Sequence, residues 1–285
     1  FKQKTAYEIK ECDWSSDVCS SDLFHPTDVR VTTRVHEHEL QSCLFSCIHE
    51  GGHGLYDQGL DQRYFGTPLG ESVSLGIHES QSRMWENCVG RSRAFWRFFY
   101  PILQQTFHHQ LRAVDMDAFY AAINCVKPSL IRVEADELTY NLHIMLRFEI
   151  EQDLIEGRLQ PEDLPEVWNQ KMQDYLGITP GHDGEGVLQD VHWSFGAFGY
   201  FPTYTLGNLY SVQFFDQAKL EIPHLEDEIA AGQLMVLRRW LEQKIHRWGR
   251  MFTPDHLARR VTGHSLNPEP FLIYLEKKYG ELYKL

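Results

Sequence analysis

The sequence has 285 residues, 42% of them apolar and 24% charged, the balance of a globular chain able to bury a sizeable core. Its 27 Lys and Arg stand against 40 Asp and Glu, a net charge of -13, which argues against nucleic acid as a partner because phosphate contacts need a basic face. No run of about 18 apolar residues and no basic-then-apolar opening occurs, so neither a transmembrane helix nor a secretory signal is expected.

Residues 1–23 show neither helical nor strand periodicity, and Ser and Asp dominate their second half. They are expected to be a non-native or disordered tail. Val29–Thr33 alternates weakly and predicts a short strand. From about residue 36 onward the chain reads as helices, which makes the fold mainly α with minor short strands. Cys43 and Cys47 are four apart and are expected to be small core residues on a helix. Six cysteines with no C-x-x-C pair fit a reduced, cytoplasmic setting rather than a disulfide scaffold. Val73–Ile77 could form a short strand beside a cleft. Leu138, Leu142, Met145 and Leu146 predict one buried helical stripe, and Leu164, Val167, Trp168, Met172 and Tyr175 another. Thr253-Pro254 opens a helix that Gly263 closes, and Asn267-Pro268 opens one that Gly280 closes. No repeat, linker or composition shift marks a boundary, so one domain is expected over 24–285.

The informative stretch is His49-Glu50-Gly51-Gly52-His53, an H-E-x-x-H segment. Residues four apart on a helix lie one turn above each other, so His49 and His53 can reach one ion. Glu50 then lies beside the ion, where it can take a proton from water. With His49 at 0°, His53 falls at about 40°, and Leu40, Leu44, Cys47, Ile48, Gly51 and Leu55 fall at roughly 160–260°. The apolar face is therefore expected opposite the histidines. Three glycines in this helix suggest close approach at a cleft. A catalytic zinc wants a third protein ligand. Glu79 is the candidate, with Glu71, His78 and Glu86 as competitors.

Five ordered motifs carry a resemblance: Asp28-Val29-Arg30-Val31-Thr32, His49 to His53, His78-Glu79-Ser80-Gln81, Ile131-Arg132-Val133-Glu134-Ala135-Asp136, and Gly186 through Gln189-Asp190-Val191-His192-Trp193. On these the chain resembles the carboxypeptidase Taq family of zinc metallocarboxypeptidases over residues 24–285. The resemblance implies a helical, zincin-like fold with a deep groove and a longer N-terminal portion, so that this chain corresponds to the C-terminal half of the family fold. It implies Zn2+ held by His49, His53 and Glu79, with Co2+ as a replacement. It also implies a cytoplasmic homodimer that removes single residues from the free C-termini of peptides with broad specificity.

Within that reading Glu50 is the general base. His192 and Tyr204 are candidate donors to the oxyanion, with Tyr200 in reserve. An exopeptidase needs a cation for the free carboxylate, and Arg132 and then Arg30 are the candidates. A salt bridge from Arg132 to Asp136 is the structural alternative. Asp190 could orient His192 or a metal-bound histidine. Two other functions fit the same residues: a non-catalytic zinc-binding fragment, and an endo-oligopeptidase with the same chemistry.

Overall fold

A computed structural model describes residues 22–33, 35 and 38–285. The expected tail lies outside these residues apart from Asp22 and Leu23, which open a strand. In chain order the chain forms β1 (Asp22–His25), β2 (Asp28–Arg30), α1 (Leu40–Gly59) and α2 (Leu75–Arg83), then a π-helical turn, Met84–Gly90. Next come α3 (Arg93–Thr106), α4 (His108–Leu111), α5 (Met116–Ile123), α6 (Tyr140–Ile155) and α7 (Leu164–Leu176). The last are α8 (Pro202–Glu221), α9 (Leu225–Ala230), α10 (Met235–Lys244), α11 (Pro254–Thr262) and α12 (Glu269–Tyr283). The fold is mainly α, as the periodicity predicts. β1 and β2 pair antiparallel with Leu23 opposite Val29. No helix among the described residues is long and apolar enough to cross a membrane.

The described residues divide into two compact units. One is Val126–Tyr204; the other runs up to Cys125 and resumes with Thr205–Leu285. The interrupting segment shares the composition of its flanks, so the sequence carries no linker signal.

In the smaller unit α6 and α7 meet over Leu146, Ile150, Trp168, Met172 and Leu176. The α7 stripe packs as predicted. On α6, Leu142 and Leu146 turn to this core while Met145 is exposed, as is Leu138, which precedes the helix. A second cluster joins Tyr140, Ile144, Phe201 and Tyr204.

In the larger unit α1, α3 and α5 share Phe45, Trp96, Tyr100, Phe119 and Ile123. Val73–Ile77 is not a strand: the Ser74 hydroxyl accepts from the Ile77 amide and starts α2. α11 has the predicted caps, Thr253 accepting from His256 N–H and Gly263 at φ 80°. α12 instead runs through Gly280 and ends at Lys284, at φ 57°. Gly280 keeps helical backbone, and a glycine costs a helix interior only about 1 kcal/mol.

The deeply buried residues of α1 include Glu50, His53, Tyr56 and Asp57, the chemical side, while Leu40, Leu44, Ile48 and Leu55 are half-buried. Ile48, Gly51 and Leu55 line an apolar cavity of about 320 Å³ with Trp85, Phe95 and Phe99. Cys47 is exposed and Cys43 half-buried, so neither is a core residue.

Candidate metal centre

α1 places His49 and His53 one turn apart, with their Nε2 atoms 3.2 Å from each other. α2 brings Glu79 to the same point: its Oε2 lies 3.4 Å from His53 Nε2 and 3.7 Å from His49 Nε2. Two glycines permit this. A Cβ at Gly52 would stand 2.6 Å from Ser82 Cα, so only glycine lets α1 and α2 approach so closely. The close approach is to a neighbouring helix. A Cβ at Gly207 of α8 would stand 2.3 Å from Glu79 Cγ. The three donor atoms fit a metal well, since a tetrahedral ion with bonds of about 2.0–2.1 Å has ligand–ligand edges of roughly 3.3 Å. Among the described residues this is the group of three His, Cys, Asp or Glu side chains that could hold an ion.

Each of the three has a further partner. His49 Nδ1 lies 2.9 Å from Glu86 Oε2, and Glu86 also accepts from Arg83 at 3.2 Å and Arg91 at 3.4 Å. Glu79 Oε1 accepts from Arg83 Nε at 2.7 Å. His53 Nδ1 faces His78 Nδ1 at 2.6 Å, and His78 Nε2 faces Asp57 Oδ1 at 3.0 Å. His78 and Glu86, the competitors for third ligand, therefore contact His53 and His49 from outside the group of three converging atoms.

The electrostatics follow from burial and these pairs. Burial opposes charge on Glu79, but Arg83 and His49 outweigh it and hold the carboxyl well below its usual range. Burial likewise opposes ionisation of Glu86, yet Arg83 and then His49 bring it to about 2. Burial, with His78 beside it, depresses His53 to about 3 and leaves a neutral imidazole for a ligand. Glu50 differs: burial raises its pKa, and its buried Oε2 has no hydrogen-bond partner. Glu50, next to His49 in the chain, thus presents a buried carboxylate oxygen with no donor on it.

The model of the carboxypeptidase Taq (M32) metallopeptidases matches residues 19–279. The chain belongs to that family. It is 53% identical over 258 residues to thermostable carboxypeptidase 1 of Thermus thermophilus, a match covering 90% of this chain and 50% of the relative. It is 45% identical to carboxypeptidase 1 of Bacillus subtilis, covering 90% of this chain and 52% of that one. Among solved structures it is similar to the M32 carboxypeptidase of Deinococcus radiodurans, with TM-score 0.89, 48% identity, and 91% and 52% of the two chains covered. It is similar too to Trypanosoma cruzi metallocarboxypeptidase 1, with TM-score 0.84, 43% identity, and 89% and 53% covered. The chain spans about half the length of the curated relatives it matches.

The remaining predicted residues of this family member fall into two groups. Arg30 is exposed on β2, where its guanidinium donates two 3.0 Å bonds to Asp28. Arg132, Asp190, His192, Tyr200 and Tyr204 all belong to the smaller unit. Arg132 is buried and donates to Asp190 Oδ1 at 3.0 and 2.9 Å and to Tyr140 Oη at 2.9 Å. It does not pair with Asp136, which instead accepts from the amides of Leu138 and Thr139. Arg147, buried as deeply, bonds Asp190 Oδ2, and its Nη2 donates to Gln189 at 2.8 Å. Asp190 is thus shared by two guanidinium groups, while His192 Nδ1 is 3.9 Å away. It does not orient the histidines of α1, whose second nitrogens belong to Glu86 and His78. His192 Nε2 and Tyr204 Oη are 2.9 Å apart, and the Tyr200 ring lies tilted beside His192 with centroids 5.3 Å apart.

Sequence reading missed Asp57, Arg83, Arg147 and Gly207. Asp57 was findable, since it lies one turn beyond His53 on the same face of α1. Arg147 and Gly207 carry no local signal; only tertiary contact gives them roles.

Proposed function

We propose that this chain carries the catalytic centre of a zinc-dependent carboxypeptidase that removes single residues from peptides with broad specificity. One observation carries the reading: His49, His53 and Glu79 meet at edges of 3.2, 3.4 and 3.7 Å with the unpartnered Glu50 oxygen alongside. A zinc ion held by those three would supply a Lewis acid that acidifies water and polarises a peptide carbonyl. Glu50 accepts the proton of the attacking water and returns it to the leaving amine. Its burial supports this, because a raised pKa brings a carboxylate nearer to the task of a general base. His192 and Tyr204 are the proposed donors to the carbonyl oxygen.

Removal from the C-terminus, rather than internal cleavage, is favoured by the arginine pair. A planar guanidinium pairs with a carboxylate through two parallel bonds, the recognition that a free peptide terminus calls for. Arg132 is the proposed partner of the peptide terminus. The relatives named carboxypeptidase agree with this reading. The test is hydrolysis of an N-blocked dipeptide against its C-terminal amide. An exopeptidase should lose most of its rate on the amide; equal rates would replace the proposal with an endo-oligopeptidase.

A further inference from the structure

We propose that Asp57 and His78 form a hydrogen-bond relay that fixes which ring nitrogen of His53 carries its proton, so that Nε2 is offered to the metal; this rests on the metal centre proposed above. His53 is fully buried, and its Nε2 points at His49 and Glu79. An ion bound there needs the lone pair on Nε2. A neutral imidazole has one N–H, so that proton must be on Nδ1. Nδ1 meets His78 Nδ1 at 2.6 Å, so His78 must accept there and hold its own proton on Nε2. That nitrogen lies 3.0 Å from Asp57 Oδ1, a carboxylate oxygen placed to accept its proton. The direction of every bond is therefore set by the terminal carboxylate.

The relay is built to hold position as well as protons. Asp57 and His53 are both on α1, while His78 comes from α2 and bridges them. The His78 ring lies beside that of His53 with centroids 4.5 Å apart and planes at 29°, and the Tyr56 ring is 5.2 Å from His78. His78 directly precedes Glu79, so the contact that sets the His53 ring also fastens the backbone carrying the third ligand. His49 is served differently, by the single carboxylate of Glu86. Asp57 and His78 are positioning residues, because they act on the ion through His53.

The test combines nitrogen NMR of histidine-labelled protein with zinc affinity measured by chelator competition. In the metal-free wild type, His53 should carry its proton on Nδ1. His78→Phe and Asp57→Leu should each weaken zinc binding about 10–100-fold. His78→Gln should recover most of the loss, since its carbonyl can accept from His53 and its amide can donate to Asp57. A folded His78→Phe chain binding zinc within about twofold of wild type would overturn the relay. So would a His53 proton on Nε2, a measurement on the wild type that no folding defect can obscure. If the wild type shows the Nδ1 proton but binds no zinc, the metal reading fails and the proton relay stands.

Discussion

Gly207 and Glu79 are in such close contact that a methyl group on the glycine would stand 2.3 Å from Glu79 Cγ and 2.6 Å from its Cβ. α8 therefore holds the third candidate ligand by backbone contact. Gly207→Ala must displace Glu79 or α8, an overpacking that costs about 1–3 kcal/mol. We expect a lower urea midpoint together with weaker zinc binding. A variant with unchanged zinc affinity would show that Glu79 is not held by this contact.

Glu50→Gln keeps the shape of the side chain and removes its ability to take a proton. Turnover of a blocked dipeptide should fall by roughly 10²–10⁴-fold. Zinc stoichiometry should not change, because Glu50 is not one of the three converging donors. Activity within a few-fold of wild type would remove Glu50 from the role of base.

Asp190 gives a pH signature. Burial opposes its ionisation, but Arg147 and Arg132 overcome this and hold its pKa far below the ordinary 3.8. A carboxylate with a depressed folded pKa stabilises the fold above the unfolded value, and the contribution is lost as pH falls through the folded one. Asp190→Asn strands two buried guanidinium groups and should cost about 3–5 kcal/mol at neutral pH. The gap between variant and wild type, read from urea unfolding, should narrow as pH drops below about 3.8. A gap that stayed constant as pH fell from about 3.8 on toward the folded pKa would mean that charge is not the source of the effect.

What the sequence made legible was local. His49 and His53 share a face because of their spacing, and α11 forms between a threonine cap and a left-handed glycine, Gly263. On α1 the wheel sets the apolar residues opposite the histidines, and Ile48, Gly51 and Leu55 do line an apolar cavity, but the wheel carries no sign that the histidine side is buried more deeply. Here the polar side is buried because its groups pair with one another: His49 with Glu86, and His53 with His78 and Asp57. The short strand expected at Val73–Ile77 failed to a single capping hydroxyl on Ser74. The division into two units and the roles of Arg147 and Gly207 depend on contacts between distant residues, which no local pattern encodes.

The central claim is that His49, His53 and Glu79 hold one ion, and calorimetric titration of the metal-free chain with zinc tests it most directly. One zinc should bind per wild-type chain, and none stoichiometrically to the folded His49→Ala/His53→Ala double variant. Stoichiometric zinc in the double variant, or none in the folded wild type, would contradict it.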